Sequence, residues 1–120
     1  MSPISISPIL HPGEYVFCSI VDPRNIPKSS FLMSFEEPEG TTLLLKKEVA
    51  DQYHLTYSFV ASWIMIAEHT TLDAVGITAT ISTALAREGI GCNVIAAFYH
   101  DHIFVQSEDA IKAMAILTTC

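Results

Sequence analysis

Residues Thr70–Val105, TTLDAVGITATISTALAREGIGCNVIAAFYHDHIFV, decide how this chain is read. Ile77, Ile81 and Leu85 fall at i, i+4 and i+8, the spacing of one apolar helix face. Thr70 or Thr71 is placed to cap a segment beginning around Leu72 to Val75. Gly89 stops the helix as the residue just past its cap, and Gly91 reinforces the break. Cys92 to Phe98 then reads as a strand and Ile103 to Val105 as its hairpin partner. Between them Tyr99-His100-Asp101-His102 forms a charged tip. A helix that opens near a glycine and faces such a turn has the character of a small-ligand site. Free N–H groups at a helix start favour a carboxylate, and glycine permits close approach.

Working outward, Phe59 to Glu68 is rich in aromatic and β-branched residues and predicts a central strand. Trp63 and Met65 share one face of it, Ile64 and Ile66 the other. On the far side, Ser107 is placed to cap a last helix with Glu108 and Asp109 in its first turn. Ile111, Met114 and Leu117 supply that helix's core face. Residues 59–118 therefore run β-α-β-β-α. Upstream, residues 1–14 carry three prolines and a glycine and read as an irregular arm. Tyr15 to Val21 predicts a buried strand, and Asp22 to Ser30, with two prolines, a loop. Phe31 to Phe35 and the TTLLLK run flank the turn EEPEG and predict a hairpin. Lys46 to His54 predicts a short helix. This half repeats the order of the other with a loop in place of its first helix. Two half-units so small cannot each bury a full core, which predicts one continuous antiparallel sheet shared by both and backed by helices, an α+β, ferredoxin-like arrangement.

Composition narrows the function. Half of the 120 residues are apolar, 16% are charged, and the mean hydropathy is +0.39, as expected for a well-cored globular chain. The net charge is −7 and the six basic residues are scattered, so no phosphate-neutralising surface is visible and no nucleic-acid partner is expected. The apolar run Tyr57 to Ala67 is too short to span a bilayer, and no basic residue precedes the apolar N-terminal positions as a secretory signal requires. A cytoplasmic protein without a membrane partner is expected. Cys18, Cys92 and Cys120 are odd in number and lack metal-binding spacing, so reduced thiols are expected. Cys92 opens an apolar strand, where burial would leave it inert as a nucleophile. There are no paired carboxylates and no Gly-rich phosphate loop. Neither catalysis nor a cofactor is expected. His100 and His102 could share a strand face, with His69 or Glu68 as a third metal ligand. A hairpin turn breaks that alternation and the spacing fits no zinc pattern, so no metal is assigned.

Five stretches carry a resemblance: HPGEYVFCSI (His11 to Ile20), the EG-turn-LLL segment (Glu39 to Leu45), LDAVGITA (Leu72 to Ala79), GIGCNVIA (Gly89 to Ala96) and YHDHIFV (Tyr99 to Val105). As a set, in this order, they resemble the ACT domain, specifically the small tandem-ACT proteins of bacteria. The resemblance implies a ferredoxin-like ACT fold of two units, a shortened one at 1–58 and a complete βαββα unit at 59–120. It implies a regulatory module that senses an amino acid or similar small molecule between half-units or subunits, in a homodimer or higher homo-oligomer. It also places the site. Gly76 and Ile77 match the loop where ligands meet backbone groups. Asp101 matches an acidic hairpin position that pairs with an amine or guanidinium. Asn93 and Val94 match the start of the strand beside the pocket. From the residues alone, Gly76 is equally what a tight strand-to-helix turn requires, and Asp101 equally a turn former. The chain departs from the pattern in SWIMIAEHTT, where Glu68 and His69 replace a Val-His-Ser sequence. Two other readings stand beside ligand sensing: ACT units used only for assembly through sheet edges or helices, and a metal-dependent enzyme at His100 and His102.

Overall fold

The structure is a computed structural model and describes residues 6–120; the expectation of an irregular arm over the first five residues lies outside the described residues. The element order is β1 (Pro8–Leu10), β2 (Tyr15–Ile20), β3 (Met33–Glu37), β4 (Gly40–Lys46), α1 (Lys47–Gln52), β5 (Val60–Ile66), α2 (Ile77–Arg87), β6 (Cys92–Ala96), β7 (Asp101–Gln106) and α3 (Ala110–Thr118). Two compact units form: Gly13–Ala61, and Ser62–Cys120 together with the N-terminal segment through Pro12. The boundary expected at residue 58 differs from this division in where that N-terminal segment falls.

In the Gly13–Ala61 unit the strands lie in the order β3-β4-β2-β5, the last through Val60 and Ala61, which pair with Val16 and Tyr15. The expected loop replaces a helix because Pro23 and Pro27 interrupt it, leaving two short 3-10 turns. The Asp22 carboxylate accepts from the Arg24 backbone N–H at 3.0 Å and starts the first of them. The β3–β4 hairpin turns through Pro38 and Glu39, with Glu37 opposite Gly40. Glycine is required there: its φ is +154°, and a Cβ would stand 3.0 Å from the Ile20 carbonyl oxygen. Val16, Cys18, Leu43, Leu45 and Ala50 form the core.

In the other unit the order is β1-β5-β7-β6, so the N-terminal strand supplies the outermost position beside β5. The irregular arm expected over residues 1–14 is corrected here, since Pro8–Leu10 pairs with Ile66–Ile64. Its proline is tolerated because it occupies the first residue of the strand. Ile64 and Ile66 of β5 and Ile103 and Val105 of β7 face α2 and α3, which contribute Ile81, Leu85, Ala113 and Leu117 to one buried cluster. Each of these buried isoleucine, leucine and valine side chains stabilises the fold by about 1.5–3 kcal/mol relative to exposure.

Two helix expectations change. The second helix starts at Ile77 rather than within Leu72 to Val75, because Gly76 takes φ +94° and interrupts any right-handed run. The preceding residues turn instead, with the Ala74 N–H on the Thr71 carbonyl. The helix ends as expected at Gly89, φ +74°. The Ile90 N–H reaches the Leu85 carbonyl and the Gly89 N–H the Ala86 carbonyl, both at 3.0 Å, a Schellman closure whose apolar partners Leu85 and Ile90 are both buried. In α3 the core face is Ala110, Ala113 and Leu117, whereas Ile111 is 78% exposed. A 3-10 turn at Ser107–Asp109 precedes this helix, and the Ser107 hydroxyl accepts from Ser62 instead of capping.

Candidate functional site

The β6–β7 hairpin positions the site. Ala96 pairs with Asp101, and the Ala97 N–H donates to the His100 carbonyl at 3.1 Å. The turn is therefore Ala97-Phe98-Tyr99-His100. The charged tip expected at 99–102 is corrected: Asp101 and His102 belong to β7, and the apex is aromatic, with Phe98 71% and Tyr99 58% exposed. Strand alternation then fixes where the polar side chains go. Asp101 shares the side of Ile103 and Val105 and is 4% exposed, while His102 lies on the side of Phe104.

The segment after β5 is tied to this turn at two levels. The Thr70 N–H donates to the Tyr99 carbonyl at 2.9 Å, and the Thr70 hydroxyl donates to the Asp101 carboxylate at 3.3 Å. The His69 ring stands 5.4 Å from Tyr99 and 4.8 Å from His100. A cavity of about 480 Å³ results, lined by the run from His69 to Asp73 and by Phe98 and Tyr99. Its walls are mainly apolar, its acidic lining residue is Asp73, and no lysine or arginine lines it. Asp101 holds the loop in place through Thr70.

The candidate residues separate in space. Gly76 is the exposed N-cap of α2 and no side chain caps the helix start, so its first N–H groups lack a side-chain acceptor. A Cβ added at Gly76 would meet nothing within 4 Å, so the space beside it is open. Ile77 is half-buried and packs on the apolar core. Asn93, opposite Phe104, is exposed; Val94, opposite Ile103, turns inward onto the core. His69, Thr71, Leu72, Asp73, Phe98 and Tyr99 line the cavity without having been singled out as ligand contacts. One signal marks them: exposed apolar residues, Leu72 and Phe98 among them, standing beside strand ends. Glu68 turns elsewhere and accepts the Ser7 N–H at 2.8 Å, a bond that holds its carboxyl below the usual value.

His100 Nδ1 lies 2.9 Å from the Ile66 carbonyl and must donate to it, whereas His102 Nδ1 accepts the Trp63 indole N–H at 2.9 Å. Both nitrogens are thus committed. Among the described residues no group of three or more His, Cys, Asp or Glu is placed to hold a metal ion. Burial pushes the Cys92 and Cys18 thiols up, which suppresses the thiolate a nucleophile needs. A larger concavity, about 620 Å³, runs along α2 and α3 between Ala79 and Cys120. It is walled by small residues and Ile116 with Arg87 and Glu88 and has no aromatic ring, so the loop–hairpin cavity is the stronger candidate. Among the described residues no helix is long and apolar enough to cross a membrane.

The fold is that of a small α+β module of the ferredoxin-like class. Two matches to the ACT-domain family lie in tandem, at residues 4–62 and 58–119, and the chain belongs to that family. Among solved structures, a Vibrio cholerae protein of unknown function, described as a possible transport protein, is similar at 45% identity over 96% of this chain and 89% of its own, with TM-score 0.86. An Agrobacterium tumefaciens protein shares the fold at 20% identity, 98% and 90% coverage and TM-score 0.80. The regulatory subunit of aspartate kinase from Thermus thermophilus, in its ligand-free form, shares it at 11% identity, 97% and 98% coverage and TM-score 0.63. No match to the sequence was found among the curated proteins.

Proposed function

We propose that the loop–hairpin cavity binds an amino-acid-like zwitterion and that the protein is a regulatory sensor, not an enzyme. The observation that carries this reading is the cavity between His69–Asp73 and Phe98–Tyr99, fastened to the hairpin through Thr70 and the buried Asp101. The ligand's amine lies toward Asp73 in the cavity wall, and Asp101 acts behind it by holding Thr70. The carboxylate is directed from the cavity toward the uncapped start of α2 at Gly76 and Ile77. Leu72, Phe98 and Tyr99 favour an apolar or aromatic side chain, and the absence of a lining cation disfavours a second carboxylate. The two ACT units, at 1–58 and 59–120, would act in a cytoplasmic homodimer or higher homo-oligomer whose assembly relays occupancy.

Thermal-shift screening against the amino acids and the nucleobases tests this. A neutral amino acid with an apolar side chain should raise the Tm, and aspartate and glutamate should not. Tyr99→Ala should weaken the effect about tenfold or more through lost stacking and burial. If no compound shifts the wild-type protein, or if Tyr99→Ala and Asp101→Asn both respond as wild type does, the cavity is not the site. Assembly without sensing is favoured instead if no ligand acts and light scattering shows a stable oligomer.

A further inference from the structure

Four of the chain's five histidines, His11, His69, His100 and His102, lie in the same unit as its single tryptophan. Two of them clasp that indole. His11, just beyond β1, lies flat on Trp63 with ring centroids 3.7 Å apart and planes within 9°, and its backbone N–H donates to the Trp63 carbonyl at 2.9 Å. The Trp63 Nε1–H donates to His102 Nδ1 at 2.9 Å. An indole N–H can only donate, so His102 Nδ1 must be a bare lone pair with the ring proton on Nε2. A second proton on His102 would set N–H against N–H and destroy the bond. His11 Nε2 is buried and has no hydrogen-bond partner, so a charge on that ring would also lie uncompensated.

We propose that the His11–Trp63–His102 stack is a proton-sensitive latch that holds β1 on the edge of β5 when neutral and releases it when His102 is charged. The reading is independent of any ligand. The groups around His102 favour opening on acidification. β1 brings His11, β5 brings Trp63, and β6 places the apolar Ile95 opposite. From its own strand Asp101, and from the adjoining turn His100, act on His102; His100 keeps its bond to the Ile66 carbonyl whether singly or doubly protonated. Desolvation first, then the neighbouring His100 and His11, lower the proton affinity of His102 against the opposing pull of Asp101; desolvation alone lowers that of His11. The far end of β1 is held separately by Glu68 on the Ser7 N–H, so opening starts at His11. Release would bare the hydrogen-bonding edge of Ile64–Ile66, a surface able to accept another strand.

Because Trp63 is the only tryptophan, its fluorescence reports on the latch directly. Titration of the full chain should change its emission with a midpoint below about 6.5, the ordinary imidazole value. Nitrogen NMR near neutral pH should find His102 Nδ1 unprotonated. Between about pH 7.5 and about pH 5.5, protection of the His11 amide should fall about tenfold relative to Ile103, the scale of one linked proton. His102→Gln, which keeps a neutral acceptor, should remove that pH dependence while retaining protection at high pH. A protonated His102 Nδ1 near neutrality, or a His11 amide that tracks Ile103 at every pH in the wild-type protein, overturns the proposal.

Discussion

Gly89 holds a backbone that L side chains avoid, φ +74°, yet a Cβ there would touch nothing within 4 Å. Its contribution is conformational and not steric. Gly89→Ala should therefore lower stability by about 1 kcal/mol, read as a shifted urea midpoint with an unchanged slope. Gly40→Ala should cost more, because strain adds to a contact of 3.0 Å with the Ile20 carbonyl oxygen. Equal midpoints for the two variants would contradict this. At Asp101 the side chain serves as acceptor for Thr70. Asp101→Ala should destabilise by about 1–3 kcal/mol through the stranded hydroxyl, whereas Asp101→Asn, still an acceptor, should lose less. Identical losses would show that the charge matters and the bond does not. Asp101 was recognisable in the sequence as a residue of interest. That it is buried and tied to Thr70 was not, because the partner lies 31 residues away.

The helices separate into what periodicity can reveal and what it cannot. Ile81 and Leu85 are fully buried at the expected spacing, so Leu85→Ala should cost about 2–5 kcal/mol in a thermal or urea melt. Ile111→Ala should change stability by less than about 0.5 kcal/mol, since its side chain is 78% exposed. A large loss at Ile111 would argue that another surface covers it. The apolar residues of α3 fit more than one face, and packing on the core cluster buries Ala110, Ala113 and Leu117. β1 was illegible for a different reason. Its three residues carry no pattern, and β5 alone makes them a strand.

At the scale of the whole molecule, acid should weaken the fold in two stages. His11 and His102 have lowered proton affinity in the native state, so the unfolded chain binds more protons below its own imidazole value. Their stabilisation is complete above about pH 6.5 and is lost as pH falls toward their native values. Asp22, held by Arg24, Asp51, held by Tyr57 and Lys47, and Glu68, held by the Ser7 N–H, have lowered carboxyl values. Their share is present above the ordinary carboxyl range near pH 4 and is lost below it. Thermal melts from neutral pH to about pH 3 should show the first decline in wild type and a smaller one in His102→Gln. A flat Tm between about pH 7 and about pH 5 would count against the histidine assignment.

The sequence by itself determined the alternation of strands and helices, the glycine that ends α2, the proline-broken segment that replaces a helix, and the family. Each rests on residues close together in the chain, where spacing alone sets the face a side chain presents. The tertiary structure decided which hairpin residues form the apex, where α2 begins, which strand lies against β5 and which groups surround the cavity. Those outcomes depend on pairs such as Thr70 with Asp101 or Trp63 with His102, whose partners folding alone brings together.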